Sequence, residues 1–178
     1  RPVVRPLPRG WTPIRALAAV ERLPHTVFLE SAGEEHESCE WTILAFDPAW
    51  RLELREGVLF RLEGGVHAGA CEDAGVSRGA VALAGHPLDA LAAVWPGRVR
   101  YDEPLPVPFA SGLAGYLAYD LKDWIERYPQ RAAREWPHPD VSLAFYDVVW
   151  AWRRSTGEGW VVATGRDVAP PVGGLEEE

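Results

Sequence analysis

The stretch that most constrains the fold runs from Val107 to Pro129, and between Phe109 and Tyr119 it carries no charge while small and large residues alternate. Extended, it places Gly112, Ala114, Tyr116 and Ala118 on one face and Leu113, Gly115, Leu117 and Tyr119 on the other. Two glycines inside such a run mark a place where a neighbouring backbone or side chain packs very close. Asp120 is the predicted N-cap of a short helix, because its carboxylate can accept from free backbone N–H groups. Leu121, Trp124, Ile125 and Tyr128 follow the i, i+3, i+4, i+7 spacing of one buried face, and Pro129 stops the helix. A buried strand feeding a capped amphipathic helix is a structural centre. By itself it carries no chemistry.

Around this centre the chain reads as short strands joined mostly by hairpins. Arg1–Arg9, rich in proline and arginine, predicts an extended arm. Thr12-Pro13 predicts a helix start, with Ile14, Leu17, Ala18 and Glu21 on one side and an end before Pro24. Strands are predicted over His25–Glu30 and Trp41–Phe46, separated by a polar loop and closed by Asp47-Pro48. Trp50–Arg55 and Val58–Leu62 alternate apolar with charged, the pattern of half-exposed strands. A two-residue Glu56-Gly57 turn would set Leu52 opposite Arg61 and mix the faces. A three-residue loop, Arg55–Gly57, pairs Leu54 with Val58 and Leu52 with Phe60, and is the predicted register.

Further on, Val66–Cys71 predicts a strand, Glu72–Gly79 a polar loop and Pro87–Trp95 a helix with Leu88, Leu91 and Val94 inward. Arg98–Val107 is a connection, and Gln130–Asp140 a charged loop. Val141–Trp152 predicts one long strand with Tyr146, Val148, Trp150 and Trp152 on one face. A Ser155-Thr156-Gly157 loop then sets Trp152 opposite Trp160 and Trp150 opposite Val162. The fold class that follows is α+β: antiparallel sheet with hairpins and a few short helices.

Composition excludes more than it selects. The 178 residues are 47% hydrophobic and 25% charged, an ordinary globular balance. A net charge of −8 argues against general affinity for nucleic acid or anionic membrane. No apolar run nears the ~20 residues of a membrane-spanning helix, and no leader pattern is present. With Cys39 and Cys71 alone, a disulfide framework is not expected and a cytoplasmic location is. The chain has no methionine and closes on Ala169–Glu178, a Pro/Gly stretch followed by acid, which reads as a linker (169–178) after a domain of residues 1–168. It is expected to be a piece of a longer protein.

Searches for Gly-x-Gly-x-x-Gly, a phosphate loop and His-Glu-x-x-His find nothing, and the five histidines are scattered with no metal-ligand spacing to either cysteine. Cys71 beside Glu72 and Asp73 has the wrong field for a thiolate. Asp147, alone among apolar residues, could be a tuned carboxylate, but such a residue more often faces solvent or caps a neighbouring backbone. Phe28–Pro48 puts a polar loop between two strands, where a serine, backbone groups and a large aromatic can line a small-molecule pocket or simply form a hairpin.

Three segments together resemble the chorismate-utilising synthases of the anthranilate synthase component I family. Leu29-Glu-Ser, followed after nine residues by Trp41-Thr-Ile-Leu-Ala-Phe-Asp-Pro, resembles their Leu-Leu-Glu-Ser…Asp-Pro signature. Pro108-Phe-Ala-Ser-Gly-Leu-Ala-Gly-Tyr-Leu-Ala-Tyr-Asp is similar to their Pro-Phe-x-Gly-Gly-x-x-Gly-Tyr-x-Gly-Tyr-Asp segment, and Pro139–Val149 to the strand that follows. Phe145-Tyr146-Asp147 favours the aminodeoxychorismate branch. The resemblance implies an N-terminal region of an enzyme that aminates chorismate to 4-amino-4-deoxychorismate for folate synthesis, with ammonia from a glutamine amidotransferase partner. It implies that Mg²⁺ and all catalytic residues belong to a C-terminal chorismate-binding region absent from this chain. The anthranilate branch and a stand-alone, non-catalytic ligand-binding module are the alternatives.

The same resemblance implies a tryptophan-type pocket at Ser31, Ser38, Cys39, Glu40 and Trp41. Glu40 stands where the family usually has arginine, Trp41 where it has tyrosine or phenylalanine, and Ala45 where it has glycine. These departures predict weakened or lost tryptophan binding.

Overall fold

The computed structural model describes residues 2–31, 39–63, 80–94, 101, 103–126 and 138–165. Outside them lie the predicted strand Val66–Cys71, the Glu72–Gly79 loop, most of the Gln130–Asp140 loop, the 169–178 linker, Ser38, Tyr128 and Pro129.

Ten strands form two five-stranded antiparallel sheets. The first runs β1 (Val3–Pro6), β10 (Gly159–Ala163), β9 (Val148–Arg153), β3 (Trp41–Ala45), β2 (Val27–Glu30). The second runs β6 (Ala80–Leu83), β5 (Val58–Glu63), β4 (Trp50–Arg55), β8 (Val141–Tyr146), β7 (Gly112–Leu117). The chain crosses from the first sheet to the second between β3 and β4, where Asp47 takes a left-handed φ of +50°. It crosses back between β8 and β9, at Asp147.

That second crossing divides the long strand predicted over Val141–Trp152. Asp147 is buried at the bend, and its carbonyl accepts from Thr164 N at 2.8 Å and Thr164 Oγ1 at 3.1 Å. A backbone held this way turns instead of continuing the ladder. Tyr146 therefore packs between the sheets with Ala45, Ala144 and Val149. Trp150 and Trp152 face the other way, towards α1 (Pro13–Val20).

The layers follow from which faces are apolar. α1 covers the outer face of the first sheet, with Ala16 and Val20 against Leu44 and Trp152. Thr12 caps it, Oγ1 accepting from Arg15 N at 3.3 Å, and Pro13 opens it. The buried row differs from the expected one: Ala16 and Val20 face the sheet and Ile14 is exposed. The outer face of the second sheet (Trp50, Leu52, Leu54, Leu59, Val141, Leu143, Phe145) lies under Ala90 of α2 (Pro87–Val94) and Leu121 of a 3-10 helix, Tyr119–Trp124. Leu88, Leu91 and Val94 pack inward, as the spacing predicts. The order is helix, sheet, sheet, helix, an α+β architecture.

Both predicted hairpin registers are off by one residue. In β4–β5, Leu54 faces Leu59 and Leu52 faces Arg61 across a two-residue turn. Glu56 (φ +48°) and Gly57 (φ +81°) are both left-handed, the backbone that matches the twist of the flanking strands. The mixed face is resolved by Arg61, whose guanidinium lies 4.9 Å from the centroid of the Trp50 ring, itself stacked on Phe145. In β9–β10, Gly159 faces Trp152 and Val161 faces Trp150. The loop has four residues, with Arg153 N donating to Glu158 O and Gly157 N to Arg153 O. Trp160 thereby turns inward and leaves Trp152 to α1.

Three further elements depart from expectation. The predicted N-terminal arm is strand β1, paired along β10, and β6 was not foreseen. The helix after β7 is a single 3-10 stretch without a side-chain cap: Asp120 lies inside its first turn, bound to Lys122 at 3.2 Å.

Candidate functional site

The predicted pocket residues lie at the ends of β2 and β3, the antiparallel neighbours that pair Glu30 with Thr42. Ser31 follows β2, while Cys39 and Glu40 lead into Trp41, the first residue of β3. The fifth, Ser38, lies outside the described residues. What joins them is a residue that sequence reading did not single out. Arg154 Nη1 donates to the carbonyls of Ser31 and of Cys39, the second at 2.9 Å. Arg154 N donates to Glu40 O at 2.8 Å. One side chain therefore ties together both strand ends.

Neighbouring Arg153 sets the electrostatics. Its guanidinium lies 5.0 Å from the centroid of the Trp41 ring and 5.8 Å from that of Trp160, and its Nε is 3.7 Å from Glu40 Oε1. The Glu40 carboxylate also accepts from Ser155 Oγ. Glu40 is thus compensated within the chain. The Trp41 indole tilts against Trp160, with centroids 6.1 Å apart, and packs on the cluster of Val107, Ala110, Ala151 and Val162. Large aromatic surface and a paired charge occupy this end of the first sheet.

Arg153 and Arg154 carry a sequence signal only in hindsight. Two arginines end a strand, and an acidic loop must be compensated somewhere. Their partners lie more than a hundred positions away, and the link needs the β3–β9 register, Trp41 opposite Arg153.

The other candidates are set apart. Asp147 serves the bend between sheets, and Cys39 is a partly buried free thiol. Cys71, His36 and His67 lie outside the described residues. Among the described residues no group of three or more His, Cys, Asp and Glu side chains could hold a metal ion. No described helix is long and apolar enough to cross a membrane. A separate open cleft lies beside β7, lined by Tyr119, Lys122, Ile125 and Glu126, with the Lys122 ammonium 4.8 Å from the Tyr119 ring centroid.

No family model matches the chain, and no curated protein matches it. Among solved structures it is similar to anthranilate synthase component I from Streptococcus pneumoniae TIGR4, at 21% identity and a TM-score of 0.52. The match covers 89% of this chain and 30% of that one. The chain therefore carries the fold of part of that protein and spans less than a third of its length.

Proposed function

We propose that this chain is the N-terminal region of a chorismate-utilising synthase of the aminodeoxychorismate branch, a structural and regulatory scaffold without catalytic residues of its own. The observation that carries the reading is the position of β7, which holds the longest of the three signature segments. It lies at an edge of the second sheet, with Leu117 56%, Tyr119 83% and nearby Ile125 66% exposed. An uncharged edge strand flanked by large apolar side chains invites another element to pair with it. A C-terminal chorismate-binding region of the same protein is the occupant that fits.

In this reading the C-terminal region holds Mg²⁺ and the reacting groups, and a glutamine amidotransferase supplies ammonia, in the cytoplasm. This chain's part in that reading is to build and orient the sheets on which that site is completed.

The test is product identity. The full-length protein, given chorismate, Mg²⁺ and ammonium, is expected to form 4-amino-4-deoxychorismate, resolved by chromatography. Anthranilate formation that tryptophan inhibits would instead support the anthranilate branch, and no consumption of chorismate a stand-alone binding module.

The pocket residues give a second expected outcome. With Trp41 packed on the apolar cluster and Glu40 paired to Arg153, calorimetry on the full-length protein should detect no tight tryptophan binding. Submicromolar binding would contradict this account of the pocket.

A further inference from the structure

We propose that His25 is a proton-operated latch between the two sheets: neutral, it fastens the α1–β2 connection to β4 and β8, and protonated, it lets go. Arg51 Nη1 of β4 lies 2.5 Å from His25 Nε2. A guanidinium can only donate, so Nε2 must be the bare acceptor nitrogen and the ring neutral. From β8, the Tyr146 hydroxyl donates to the His25 carbonyl at 2.5 Å. His25 holds a left-handed φ of +58°, costly for a residue with a side chain, and these two bonds keep it there.

The groups facing the ring on balance favour its neutral form. Glu53, the carboxylate facing it from β4, is engaged by Arg51 at 3.2 Å and by Arg55 at 2.8 Å. Arg51 Nε is buried with no hydrogen-bond partner among the described residues. A proton on Nε2 would remove the acceptor and set two cations in contact. Burial and then the Arg51 charge hold the imidazole below its ordinary 6.5, outweighing the pull of Glu53. Burial likewise pushes the Tyr146 phenol up to about 12, which keeps it a donor throughout.

The sign of the effect follows. The unfolded chain binds a proton near pH 6.5, while the folded chain resists until lower pH. The latch is fully effective above pH 6.5 and weakens as pH falls from there to the folded midpoint. A folded midpoint below 6.5 should therefore make the melting temperature fall as the pH is lowered from 7.5 to 5.

The test is a histidine titration by NMR on the wild-type chain, with melting curves for His25→Asn and Arg51→Gln beside it. Asparagine tolerates the left-handed backbone and does not titrate. The expected result is a His25 midpoint below 6.5 that rises in Arg51→Gln, and a His25→Asn melting temperature that changes less with acid than that of the wild type. A midpoint at or above 6.5 overturns the latch even if no variant folds. So does an acid sensitivity unchanged in His25→Asn.

Discussion

In sedimentation experiments the 178-residue chain is expected to associate as its concentration rises, and Leu117→Lys combined with Ile125→Glu to return it to monomer. The cause is the margin of the second sheet at β7, which pairs only with β8 and leaves its other side unpaired among the described residues. Leu117 and Ile125 expose more than half their surface beside it, with Tyr116 43% exposed. Covering each aliphatic side chain contributes about 1 kcal/mol or more, so charging both should weaken association at least about thirtyfold. Neither residue belongs to a core cluster, so stability should change little. A monomer at all concentrations would show that the edge needs no partner.

The largest expected loss of stability comes from Gly115→Ala. Gly115 holds φ +151°, where a Cβ would lie 2.0 Å from the Ser142 carbonyl oxygen and 3.0 Å from Leu143 Cα. Gly115 pairs with Leu143 in the middle of the β7–β8 ladder, so neither backbone can withdraw without breaking neighbouring bonds. A backbone conformation nearly closed to other residues, together with that clash, should cost about 3 kcal/mol or more. For a chain of this size that corresponds to a melting temperature roughly 10 °C lower. Tyr116→Phe, on the same strand with 43% of its surface exposed, serves as the control. A Gly115→Ala variant that melts like the wild type would mean that β7 is not held on β8 as described.

How much of this was legible in the sequence depends on the range of the interaction. The Thr12 cap, the inward row of α2 and the close approach at Gly115 are local and could be read directly. The hairpin registers could not. Pairing by apolar alternation assumes that each face is uniformly buried, and Arg61 breaks that assumption by lying over Trp50. At the β9–β10 turn the loop has four residues rather than three, which moves Trp160 to the face opposite Trp152. The division of Val141–Arg153 between two sheets was hidden because Asp147 is a single polar residue in an apolar run. Its role comes from Thr164, on a different strand's exit. The candidate site was legible only through resemblance. Ser31, Cys39, Glu40 and Trp41 lie at neighbouring strand ends, and the arginines that contact them belong to β9 and the loop after it.

The central claim is that another region of the same protein completes the second sheet along β7. Hydrogen exchange on the backbone amides of Gly112–Leu117 that point away from β8 tests it most directly. These amides should exchange rapidly in the 178-residue chain under monomeric conditions and become strongly protected when a C-terminal chorismate-binding region is present. Equal, rapid exchange in both would contradict the claim and leave β7 a free edge.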